Sequence, residues 1–174
     1  FGMECKAIKR AREKMGLKNI TVMIPFCRTV EELEKVYKVM NKYGLKRGDE
    51  GLKIFLMAEL PSNILMAEEF SQLIDGFSIG SNDLTQLTLG LDRDSSLVAH
   101  VYDERNPAIK RFISNLIKVA KENNTKVGIC GQGPSDYPDF AQFLVESGID
   151  SISVTPDSIL KTIKAVSKIE KEME

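Results

Sequence analysis

Tryptophan is missing from the 174 residues, and histidine occurs once, at His100. The first absence carries little information. The second leaves a lone histidine in a loop, where a solvated side chain is the plain reading. Cysteine is scarce as well. Cys5, Cys27 and Cys130 stand at no metal-ligand spacing and leave an odd count, which favours a reducing, cytoplasmic setting. No sign of charge dominates. The 24 basic and 25 acidic residues give a net of -1, and nothing suggests a basic face for nucleic acid or an anionic membrane. No apolar run approaches membrane-spanning length, and no signal peptide is visible. The first helical pattern also lacks a cap. Phe1, Cys5, Ile8 and Met15 already fall at helical spacing with nothing ahead of them, so the chain is expected to be a piece of a longer protein.

What is present is enough for one domain with a full core: 43% of the residues are hydrophobic. After the opening helix, stopped at Gly16, Ile20–Phe26 reads as a buried strand ended by Pro25. Thr29 and Glu32 form a capping box for a helix whose apolar face is Val30, Leu33, Val36, Tyr37 and Met40, with Gly44 as its stop. Leu52–Ala58 is a second strand, followed by a short helix from Ser62 to Phe70, and Gly76–Ile79 is a third strand. A connection of roughly two dozen residues follows, a length that in a compact domain is usually functional. Asn106 and Pro107 open a helix with the face Ile109, Phe112, Ile113, Leu116, Ile117 and Ala120. Lys126–Cys130 is a fourth strand, Asp136–Glu146 a helix, Ile149–Val154 a fifth strand, and Thr155-Pro156 start the last helix. Short apolar strands alternating with amphipathic helices give an α/β fold with a parallel sheet, expected to be covered on both faces. A doubly wound open sheet and part of a (β/α)₈ barrel both satisfy that pattern; five units are too few to close a barrel of about 250 residues.

In either fold the site lies at the carboxyl ends of the strands. The run Gly80-Ser81-Asn82-Asp83 leaves the third strand with backbone N–H groups open to an anion, an amide, and a carboxylate suited to a hard divalent cation. The same run also suits an ordinary turn. Arg93 follows, with a planar fork for phosphate or carboxylate. Glu59 ends the second strand, close enough to Asp83 to share one cation, though it could also be a surface carboxylate at the Ser62 helix. Cys130 ends the fourth strand before the glycine-rich Gly131-Gln132-Gly133, which exposes the thiol on the same face, where it could move a proton at carbon. Cys5 and Cys27 read as inert core.

Phe77–Arg93 (FSIGSNDLTQLTLGLDR), Glu59 within Met57-Ala58-Glu59-Leu60-Pro61, and Cys130-Gly131-Gln132 resemble, in this order, the signature blocks of the phosphoenolpyruvate-utilising enzymes. The similarity runs over essentially the whole chain. It implies the phosphoenolpyruvate/pyruvate-binding part of a (β/α)₈ TIM barrel, here its fourth to eighth units over residues 1–174. It further implies Mg²⁺ held by Glu59 and Asp83, substrate contacts from Gly80, Ser81, Asn82, Asp83 and Arg93, and Cys130 as the acid/base of pyruvate enolisation. The phosphoryl donor would be a phosphohistidine on another domain of the parent chain, which His100 does not match, and a homo-oligomer is expected. Two phosphate-binding arginines of the family lie on strands upstream and have no match here, so the piece alone is expected to bind phosphoenolpyruvate weakly and to be inactive. Arg28 has no counterpart either and reads as an ion-pair residue. Gln132 and Pro134-Ser135-Asp136 are similar to the branch that makes phosphoenolpyruvate from pyruvate, ATP and water. Pyruvate phosphate dikinase and Enzyme I of the sugar phosphotransferase system carry Cys-Gly-Glu and are the alternatives. A non-catalytic dimerisation scaffold is the third reading; intact Glu59, Asp83 and Cys130 speak against it.

Overall fold

A computed structural model describes residues 1–92 and 94–173. Five strands lie in one parallel sheet: β1 (Val22–Ile24), β2 (Ile54–Ala58), β3 (Gly76–Ile79), β4 (Lys126–Ile129) and β5 (Ser151–Ile152), in the spatial order of the chain. Sequential order decides between the two architectures. A doubly wound sheet reverses direction at a switch point, whereas right-handed crossovers that always step the same way put every helix on one face and curl the sheet toward a barrel. The fold is therefore five consecutive units of a (β/α)₈ barrel.

The register makes the one-sidedness explicit. Val22 pairs Ile54, Leu56 pairs Phe77, and Ile79 pairs Ile129, so these side chains share the outer face. They form a single core with Leu33 and Met40 of α2 (Val30–Lys42), Phe70 of α4 (Ala67–Ser71), Ile109–Ala120 of α6 (Pro107–Glu122) and Phe140 of α8 (Pro138–Glu146). The opposite face pairs Met23 with Phe55, Phe55 with Gly76, Met57 with Ser78, and Ser78 with Gly128. None of these belongs to the core, and Met23 is 40% exposed. The expected covering of both faces is thus corrected: helices cover one face, and the other is the open interior of a barrel. The Phe55 ring lies over Gly76, and a Cβ there, 2.5 Å from the ring, would push it aside.

The helices follow their local chemistry. Thr29 Oγ1 accepts the Glu32 N–H at 3.2 Å, but Glu32 Oε2 accepts from Arg28 N–H rather than from the cap residue, so the capping box is displaced by one position. Asn106 Oδ1 accepts from Ala108 N–H beneath Pro107. The helix expected from Ser62 to Phe70 is two, α3 (Pro61–Leu65) and α4, broken at Met66. That expected over Asp136–Glu146 splits into α7 (Gly133–Asp136) and α8, because Tyr137 precedes a proline and is extended at φ -124°. The long connection after β3 is not a loop throughout. It begins at once as α5 (Ser81–Leu89), closed by Gly90 at φ 63°. The chain opens with α1 (Gly2–Lys14) and closes with α9 (Ile159–Met173).

At the amino ends of the strands one device occurs twice. Asp75, just before β3, accepts from Ile54 N–H at 2.7 Å and returns its own N–H to Ile54 O. Asp150, just before β5, does the same to Val127, at 2.9 Å in each direction. Burial alone would raise the Asp150 carboxyl, but Lys126 at 2.6 Å and the Val127 N–H together hold it below the ordinary 3.8. A depressed folded value contributes stability that is complete above the unfolded value and lost as pH falls through the folded one. Asp150→Asn is therefore expected to lower the unfolding midpoint near neutral pH. The gap between variant and parent should close in acid, below the ordinary aspartate range, in thermal unfolding followed by circular dichroism. An undiminished gap at low pH would mean that the carboxylate charge plays no part.

β1 and β5 pair on one side only, and apolar grooves flank both. One of about 510 Å³ is lined by Phe1, Ile8, Ile20, Met23 and Pro25; another of about 510 Å³ is lined by Ile149, Ile152, Val154, Ile159 and Ile163. Unpaired parallel edges beside apolar surface are templates for association. The 174-residue chain on its own is expected to self-associate, read as a sedimentation coefficient that rises with concentration; a concentration-independent monomer would count against it.

Candidate functional site

Glu59 is the first residue past β2 and is only 6% exposed. Its Oε1 accepts the N–H of Phe26 at 2.6 Å, donated from the loop after β1. Its Oε2 lies against Gly80, where a Cβ would sit 3.1 Å from that oxygen and 3.0 Å from the Glu59 Cβ. Burial pushes the Glu59 carboxyl up, the Phe26 N–H opposes this, and the negative charge of Asp83 adds to the rise. The two carboxylates expected to act together therefore feel each other. Among the described residues neither takes part in an ion pair.

Because α5 starts at Ser81, the donors expected from a turn are the first N–H groups of a helix. A helix leaves these without an internal acceptor and surrounds them with the positive end of its dipole. Ser81 itself is fully buried, and its hydroxyl donates to Glu104 Oε1 at 2.5 Å, so its side chain is committed inside the protein. Asn82 Oδ1 accepts the Gln132 N–H at 3.4 Å and links the ends of β3 and β4. Asp83 is half-buried on the first turn of α5. Arg93 lies outside the described residues.

Cys130 follows β4 with an exposed thiol, its Sγ 3.5 Å from Met57 Sδ and from Ile79 O. It caps the inner face, next to a hollow of about 200 Å³ lined by Gly131, Gln132, Ser135, Ser153 and Thr155. Cys27 contrasts with it. It is 2% exposed, donates to Thr29 O at 3.4 Å and is pushed up to about 11 by burial, which keeps it a thiol. Cys5 is buried as well, and burial raises it. Arg28 pairs with Glu32 at 3.0 Å and lies over the Phe26 ring, and His100 is exposed in a single helical turn.

Two residues at the site escaped the sequence reading. Asn63, fully buried on α3, joins the loops after β1 and β2. Its signal was its place two residues beyond Pro61, where a side-chain amide can cap the helix backwards. Glu104 is 4% exposed and meets Ser81 across 23 residues of sequence, a separation that leaves no local trace. Gly131, already read in the loop after Cys130, packs against this pair: a Cβ there would stand 1.6 Å from Ser81 Oγ and 2.9 Å from Glu104 Oε1.

Carboxylates, helix-start donors and a thiol thus stand together at one end of an open-faced set of barrel strands. The family model for the PEP-binding domain of PEP-utilising enzymes matches residues 1–171, and the chain belongs to that family. Within it the chain is 69% identical over 173 residues to the phosphoenolpyruvate synthase of Aquifex aeolicus, covering 99% of this chain and 20% of that protein. It is 53% identical over 171 residues to that of Escherichia coli K12, covering 98% of this chain and 22% of the relative. The chain thus spans about a fifth of the length of the curated relatives it matches. Haloferax volcanii malate synthase superposes with a TM-score of 0.66 over 94% of this chain and 49% of its own, at 13% identity, a likeness of fold alone. Among the described residues no helix is long and apolar enough to cross a membrane.

Proposed function

We propose that this chain is the phosphoenolpyruvate/pyruvate-binding part of a cytoplasmic phosphoenolpyruvate synthase. There it would transfer a phosphoryl group from a phosphohistidine, carried on another domain of the parent protein, to the enolate of pyruvate. The observation that supports it most is Glu59: a buried carboxylate, raised by burial and by Asp83, with no cationic side chain paired to it among the described residues. Such a group is costly unless a cation joins it. Among the described residues no cluster of three or more potential protein ligands gathers at one point. The two carboxylates of Glu59 and Asp83 would suit Mg²⁺, which takes one or two carboxylates and completes its shell with substrate oxygens and water. Glu59 and Asp83 would hold it, and when bound it would supply Lewis acidity toward the substrate oxygens.

The chain's own groups then divide the work. The exposed Cys130, as the base, takes a proton from the methyl carbon of pyruvate; the electron pair of that C–H bond becomes the C2–C3 double bond, and negative charge moves to the C2 oxygen. That oxygen attacks the phosphoryl phosphorus as the bond to the histidine nitrogen breaks. In reverse the thiol returns the proton. Gly80, with no side chain, leaves room for Glu59 Oε2 at the start of α5, where the backbone at Gly80 and the Ser81, Asn82 and Asp83 N–H groups would meet the substrate's anionic oxygens. The Asn82 amide and the Arg93 guanidinium would bind phosphoryl oxygens, Arg93 offsetting charge during transfer. The buried Ser81 hydroxyl holds the loops rather than the substrate.

The test uses the full-length protein with pyruvate, ATP and Mg²⁺. Phosphoenolpyruvate, AMP and orthophosphate are expected in equal amounts. Consumption of orthophosphate with release of pyrophosphate would move the protein to the dikinase branch. No pyruvate-dependent AMP would defeat the reading.

A further inference from the structure

Glu59 is fixed from outside its own strand. The N–H that it accepts comes from Phe26, which stands in the left-handed region at φ 51°. That conformation is unfavourable for a residue with a bulky side chain and persists only where its surroundings impose it. The neighbouring Cys27 carbonyl is held by Asn63, whose Nδ2 donates to it at 2.7 Å. Asn63 Oδ1 accepts from the Leu60 N–H at 3.0 Å and the Glu59 N–H at 3.3 Å. One fully buried carboxamide therefore reaches the residue after Phe26 on one side and the amide of Glu59 on the other. A helix cap needs only the oxygen. The bond from Nδ2, reaching back 36 residues, serves no cap, and aspartate or leucine of similar shape could not make it.

We propose that Asn63 is a positioning residue: it clasps the loop after β1 to the loop after β2, so that the Phe26 N–H meets Glu59 Oε1 and Glu59 Oε2 stays against Gly80 at the head of α5. Its consequence for metal use rests on the reading of Glu59 given above.

Asn63→Asp separates the two halves of the clasp, keeping the cap oxygen while setting an oxygen against the Cys27 carbonyl. In the full-length protein, hydrogen exchange of a peptide spanning residues 25–29 is expected to quicken about tenfold, in keeping with one lost hydrogen bond. The Mg²⁺ concentration for half-maximal turnover should rise about 10- to 100-fold, as for other groups that orient metal ligands. Asn63→Ser, too short to reach Cys27, carries the same expectation should the aspartate variant fail to fold. Asp150→Asn, which loosens the far end of the sheet, serves as the stability control and should change neither readout. Unchanged exchange at residues 25–29 overturns the clasp. Faster exchange with an unchanged Mg²⁺ requirement overturns the positioning role. Glu59→Gln in parallel separates the two readings: if it too keeps the parent's Mg²⁺ requirement, the metal assignment has failed; if it alone changes, only the proposal for Asn63 has.

Discussion

Asp83→Asn in the full-length protein is expected to cut Mg²⁺-dependent turnover by about a thousandfold, the equivalent of the several kcal/mol that a Lewis-acid cation supplies. The substitution keeps shape and hydrogen-bonding capacity while removing one of the two charges that would hold the cation. Asp83 is half-buried on the first turn of α5, so the neutral amide introduces no buried charge, and thermal unfolding should move little. The charge also acts on Glu59, which it raises. Removing it lets Glu59 ionise at lower pH, so a residual Mg²⁺ response should survive with Glu59 as the remaining carboxylate. Activity against Mg²⁺ concentration at fixed pyruvate measures this. Parent-like turnover at saturating Mg²⁺ would take Asp83 out of the metal site.

Cys130→Ala should slow exchange of pyruvate methyl hydrogens with solvent by about 10²–10⁴-fold, the range for a positioned acid/base. Transfer of phosphate from ATP to the distant histidine should continue. The split follows from where the thiol sits. Cys130 is exposed at the end of β4, and its Sγ is in contact with Met57 Sδ and Ile79 O and in no ion pair among the described residues. Removing a surface sulfur leaves no cavity in the core. Proton NMR of pyruvate in deuterium oxide, alongside isotope exchange between ATP and AMP, measures the two activities separately. Loss of both together would make Cys130 a structural residue.

How much of this was legible in the sequence depended on how local the cause was. Gly76–Ile79 reads correctly to the residue because four apolar or small positions are bounded by Asp75 and Gly80. The caps at Thr29 and Asn106 were equally plain, since a cap is written within four residues. Helix α5 was missed: Ser81-Asn82-Asp83 carries turn chemistry, and Thr85, Gln86 and Thr88 blur its apolar stripe, while burial of Leu84 against the core imposes the helix from outside. The bare inner face was invisible for the same reason. Met23, Phe55 and Met57 look like core until the register lines them up opposite Gly76, Ser78 and Gly128. Ser81 was expected to contact the substrate, yet its hydroxyl turns inward, because the buried carboxylate of Glu104 waits 23 residues on.

The aspartates that tie Ile54 and Val127 stand at the opposite end of the strands from the carboxylates and thiol. Five residues of extended chain from Asp75 to Gly80 span about 17 Å, well beyond the distance at which substitutions cease to influence one another. The sheet thus separates two roles along its length: one end ties neighbouring strands together, and the other carries the residues proposed for chemistry. Strengthening the far end would widen the range of loop sequences that the opposite end can sample without unfolding, so the strand tips could change while the ladder beneath them stays in step.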